Sequence, residues 1–85
     1  MDKIIAVFSN RNQSMQFASY LKRMNIGCKT VNTPRELSVS CGISVVFSIN
    51  ALKQAEYIIQ KNRFQPFVKL FIIKSNGIFK KYETI

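Results

Sequence analysis

Ile4-Ile5-Ala6-Val7-Phe8 is the stretch that most narrows the folds open to this chain. Five consecutive apolar residues between polar neighbours offer neither face of a strand to water, so they read as a strand buried on both sides and central in its sheet. In 85 residues there is room for one domain only, residues 1–85, in a size range where about 60% of the unfolded surface is buried on folding. The remaining elements must therefore flank and cover this one strand. An apolar share of 47% is that of an ordinary globular domain and argues against disorder.

Downstream, Asn10 followed three residues later by Gln13 resembles a capping box, and Met15, Phe17, Ala18, Leu21 and Met24 recur at helical spacing. Asn25-Ile26-Gly27 closes this helix, with Gly27 suited to the left-handed position. Cys28 to Asn32 follows as a mixed-pattern strand suited to a sheet edge, and the β-branched run Ile43 to Phe47 as a second central strand. Ser48-Ile49-Asn50 opens a helix whose Leu52, Ala55, Ile58 and Ile59 share a face until Phe64-Gln65-Pro66 breaks it. Phe67 to Ile73 reads as a fourth strand, Asn76-Gly77 as a hairpin turn, and Ile78 to Glu83 as a fifth strand. This order predicts an α+β fold, the ferredoxin-like split βαβ sandwich (βαββαβ), with an added C-terminal strand forming a hairpin.

Between the second and third strands lies Thr33-Pro34-Arg35-Glu36-Leu37-Ser38-Val39-Ser40-Cys41-Gly42, which reads as an ordered turn. Thr33 can cap it, Pro34 suits its first helical position and Glu36 can reach back to the cap. It delivers Cys41 next to Gly42, a residue that accepts unusual backbone angles or lets another molecule approach closely. The predicted topology puts this loop at the same end of the sheet as Ser9 to Asn12. Arg11, Arg35 and the amides opening the first helix would there favour a thiolate, while the C-terminal end of the turn itself opposes one. On residue types alone, Cys41 reads as a small buried apolar residue before a strand, the commonest fate of a free cysteine, and Cys28 more so.

Thirteen Lys and Arg against four Asp and Glu leave a net charge of +9, which attracts phosphate backbones, anionic membranes or acidic proteins alike. With no His in the chain, a hydrolase triad with a histidine base cannot be assembled. Two cysteines thirteen positions apart make a zinc site very hard to build, and no metal or other cofactor is expected. No run approaches membrane-spanning length, no signal-peptide segment stands at the N-terminus, and a cytoplasmic location is expected.

The segment Pro34-Arg35 through Ser38-x-Ser40-Cys41-Gly42, behind a strand and helix that begin at Ile4-Ile5-Ala6-Val7-Phe8, resembles the small bacterial selenium/sulfur carrier-like family. That resemblance implies that Cys41 carries sulfur or selenium as a persulfide or selenosulfide, with Arg35, Ser38, Ser40, Gly42 and Arg11 as surrounding groups. The implied protein is a stoichiometric relay or accessory protein rather than a turnover enzyme. Its partners would be a donor such as a cysteine desulfurase and an acceptor protein. The competing class is a basic module binding nucleic acid or an acidic protein surface, with Lys69, Phe71, Lys74, Phe79, Lys80, Lys81 and Tyr82 as its face. Against it, the third strand lacks the aromatic signature of an RNA-recognition sheet.

Overall fold

The computed structural model describes residues 2–37, 42–64, 68–76 and 79–85, and the side chains of all of these except Asn76 and Phe79. The elements run β1 (Lys3–Phe8), α1 (Arg11–Arg23), β2 (Cys28–Asn32), a 3-10 turn (Arg35–Leu37), β3 (Ile43–Ser48), a 3-10 turn (Ile49–Ala51), α2 (Leu52–Lys61), β4 (Val68–Asn76) and β5 (Phe79–Thr84). The five strands form one antiparallel sheet in the order β2-β3-β1-β4-β5. This is the ferredoxin-like arrangement with an added C-terminal hairpin. The apolar run of β1 occupies the middle of the sheet, and Ile4 to Phe8 are all buried.

Period-two alternation divides that run between two faces. Ile4, Ala6 and Phe8 join Val45 and Phe47 of β3 beneath Phe17 and Leu21 of α1 and Ile58 and Ile59 of α2. Ile5 and Val7 point the other way, where neither helix lies. The shortest dimension of the molecule, 19 Å, fits two layers, about 10 Å each, and among the described residues no third layer covers that second face.

Asn10 caps α1 as expected, its Oδ1 accepting from the Gln13 backbone N–H at 2.9 Å. The buried stripe of α1 is Ser14, Phe17, Ala18 and Leu21. Met15 and Met24, expected on it, are 48% and 44% exposed. At 100° per residue they lie about a quarter-turn from a stripe centred on Ser14 and Leu21, and the small Ser14 holds the position nearest the sheet.

Both helices end in the same way. After α1, Ile26 N–H donates to Leu21 O at 2.9 Å and Asn25 N–H to Lys22 O at 3.0 Å. After α2, Phe64 N–H donates to Ile59 O at 3.0 Å and Arg63 N–H to Gln60 O at 3.4 Å. This pairing satisfies the orphan carbonyls of the last turn through a left-handed residue. That residue is Asn25 (φ 59°) in the first case and Arg63 (φ 58°) in the second, not the expected Gly27. Asn tolerates the conformation, whereas Arg63 carries a strain on the order of 1 kcal/mol. The motif then drives Ile26 and Phe64 into the core, and Phe64 packs on Phe8, Phe17 and Tyr20 at 5.5–6.2 Å between ring centroids.

The C-terminal hairpin differs from expectation by a few residues. β4 continues through Asn76, which is paired with Phe79, so the connection falls on 77–78, outside the described residues. Lys80 and Lys81 are exposed on the edge strand β5, the use of charge that discourages pairing with other chains. Lys74 and Lys81 sit directly opposite one another, and Glu83 relieves the repulsion by reaching Lys74 Nζ at 3.4 Å.

Candidate functional site

The end of the sheet where β1 and β2 finish is held by a set of buried polar contacts. Ser14, completely buried on α1, donates its hydroxyl to the backbone O of Ile43 at 2.8 Å, which ties the first turn of the helix to the start of β3. Thr33 N–H donates to Gly42 O at 2.9 Å and extends the β2–β3 ladder by one step. The Thr33 hydroxyl lies 2.6 Å from that of Ser44, also completely buried. Thr33 therefore spends its side chain on the neighbouring strand instead of capping the turn. The physical reason is that the Ser44 hydroxyl is removed from water and needs a partner.

Residues 33 and 42 are thus clamped together, as are residue 43 and helix α1, and the loop between them carries the cysteine singled out in the sequence. Ser38, Ser40 and Cys41 lie outside the described residues. The described part begins with a single 3-10 turn, closed by Leu37 N–H to Pro34 O at 3.0 Å. Gly42 is exposed, its backbone lies outside the left-handed region, and open space surrounds the place of a Cβ. The glycine thus supplies access rather than a special backbone angle. Arg11 opens α1 on the helix-covered side, and Arg35 opens the turn on the opposite side of the sheet; both are exposed. Cys28 is a partly buried free thiol on the helix side, its Sγ 3.8 Å from Ala18 O.

On the face without helices lies a groove of about 530 Å³, bounded by Pro34 of the turn on one side and by Tyr82 of the C-terminal hairpin on the other. Ile5, Val46 and Ile73 form its floor, and Pro34 and Tyr82 form walls. Burial raises the Tyr82 phenol above its ordinary pKa of 10.0, and the negative charge of Glu36 on the turn adds to the effect. The Glu36 carboxylate on the turn is thus within electrostatic reach of β5.

The seven residues of the expected basic-aromatic face do not stay together. Pairing places Lys69, Phe71, Lys80 and Tyr82 on the open face, and Lys74 and Lys81 on the other. The Phe79 side chain lies outside the described ones. The lysines that do gather with Lys80 are Lys3 and Lys29, some fifty residues or more away in sequence. A correct strand register would have found them, since each follows the period-two alternation of its strand.

These features define an α+β, ferredoxin-like protein with a loop clamped at both ends beside a capped helix start, and an open groove on its second sheet face. The family model described as "Putative Se/S carrier protein-like" matches residues 3–67, and the chain belongs to that family. The match takes in the clamped loop and stops short of β4 and β5. No curated protein and no solved structure matches the chain. No helix among the described residues is long and apolar enough to cross a membrane.

Proposed function

We propose that this protein is a stoichiometric sulfur or selenium carrier in which Cys41 is the carrier thiol. Family membership over the whole 33–42 loop is the observation that carries the reading. The clamps at the ends of the loop, Thr33 to Gly42 and Ile43 to Ser14, support it, because a relay must present its thiol from a fixed base. The capped start of α1, with the exposed Arg11 in its first turn at the loop's end of the sheet, supports a thiolate, since helix N-termini and cations favour the anion.

In the loading step the Cys41 thiolate attacks the outer sulfur of a persulfide on the donor protein. A new S–S bond forms on Cys41, the donor's S–S bond breaks, and the donor cysteine leaves as thiolate, so the exchange needs no external oxidant or reductant. Delivery repeats the exchange with an acceptor thiolate, and Cys41 returns to its starting form. A selenosulfide follows the same course with selenium as the transferred atom. The partners of this reading are a cysteine desulfurase or similar donor and an acceptor enzyme or thiolation system.

Intact-protein mass spectrometry after incubation with a cysteine desulfurase and cysteine tests the reading. The expected result is an increment of about 32 daltons, the mass of one sulfur atom, that is removed by a reductant and lost in Cys41→Ser. An equal increment on Cys41→Ser, or none on the native chain, overturns it.

A further inference from the structure

We infer that the groove on the open face of the sheet is a docking site for an extended acidic segment of a partner polypeptide. Its cations are arranged in a line. Lys29 stands level with Val46 and, through it, with Ile5; Lys3 is two residues below Ile5 on β1; Lys80 pairs with Ser75, two residues below the Ile73 that faces Lys3. In spatial order these are the first, third and fifth strands of the sheet. With strands about 4.8 Å apart and two residues spanning about 6.7 Å, each step along this diagonal is about 12 Å. A chain of about seven or eight extended residues covers both steps.

All three lysines line the groove and are exposed, and among the described residues no carboxylate forms an ion pair with them. The acids nearby are Asp2, which also lines the groove, and Glu36, which acts on Tyr82. The excess of positive charge selects an anionic occupant. The aliphatic floor then selects its class. The groove floor is aliphatic, made by Ile5, Val46 and Ile73, and Tyr82 in the wall is the single aromatic ring among the described residues that line it, too few to stack successive bases; Phe71 lies on the same face outside the groove. Single-stranded nucleic acid draws its affinity on such sheets from stacked aromatics as well as from charge. A polypeptide alternating acidic and aliphatic residues meets both the lysines and the floor.

This inference extends the carrier reading, because a relay has to hold the proteins it exchanges with, and Pro34 in the groove wall belongs to the Cys41 loop. Docking is measured without sulfur transfer, so the failure of either reading is visible separately. The probe is a fluorescein-labelled eight-residue peptide alternating Glu and Val, titrated by anisotropy at low salt, beside a labelled eight-nucleotide poly-U RNA. The expected result is saturable peptide binding that Lys29→Glu with Lys80→Glu weakens by about tenfold or more, with NMR shifts at Ile5, Val46 and Ile73. The same charge change at the exposed Lys22 and Lys53 of the helices is expected to leave affinity within about twofold. Both reversals sit at exposed positions, and thermal melts of the two double variants confirm folded protein before titration. Equal loss in the helix pair, no saturable peptide binding, or tighter binding of the RNA at the same residues overturns the inference.

Discussion

On the helix-covered side of the sheet, Phe8, Phe17, Phe47 and Phe64 interlock with ring centroids 5.1–5.9 Å apart, whereas the opposite side buries Ile5, Val7 and Ser44 under no helix at all. Both sides draw on the same strands. The first is closed by side-chain volume that two amphipathic helices bring down onto it, and interiors of that kind tolerate little change. The second is closed only at its margins, by a turn and an edge hairpin, and keeps a groove between them. The side that stabilises the fold is therefore not the side available to other molecules.

The largest expected effect lies on the closed side. Phe17→Ala should cost about 3–5 kcal/mol in urea unfolding, because Phe17 is completely buried and touches three other rings. Ile5→Ala, at an equally buried position, should cost only about 2 kcal/mol, the low end for such a truncation, because water from the groove can enter the space left behind. Equal costs for the two would erase the distinction between the faces.

Next comes the polar clamp. Thr33→Val and Ser44→Ala should each cost about 1–2 kcal/mol by leaving the other hydroxyl unpaired. The double variant should cost less than the sum of the two, since it removes both members of the pair. Strict additivity would show that the 2.6 Å contact contributes nothing to holding the loop.

The smallest effect concerns Tyr82. Burial and then Glu36 raise its pKa in the folded chain above 10.0, so the folded state retains the phenol proton that the unfolded state releases. Stability should thus be unaffected by this group below about pH 10 and fall as the pH climbs from there toward the folded value. Urea midpoints of the native chain and of Tyr82→Phe should keep a constant difference from pH 7 to 9 and change in favour of the variant at higher pH. A difference that does not move would mean that the folded state does not hold the Tyr82 phenol above its ordinary pKa.

Much of the fold was readable in the chain, and for identifiable reasons. The apolar run Ile4–Phe8 admits no position but the middle of the sheet, and it holds that position; Cys28–Asn32 mixes polar and apolar residues and lies at an edge. The Asn10 cap was legible because it depends on residues three apart. Signals of that kind fail when two local solutions compete. Asn25 and Gly27 both suit a helix end, and the choice fell to Asn25 because Ile26 must turn back into the core. Likewise Thr33 suits a cap, yet its hydroxyl answers Ser44, eleven residues away in sequence.

For the candidate site, the sequence by itself determined the motif around Cys41, the family it belongs to and the total charge, since these are properties of residue order and composition. Only the tertiary structure decided which charges act together. Lys74 and Lys81, beside Lys80 in the expected face, point away from it, while Lys3 and Lys29 arrive from β1 and β2 to complete the diagonal. The reason is physical: side chains alternate along a strand, so a run of lysines is split between faces, and a common face is assembled by register between strands that hydrogen bonds join across the sheet.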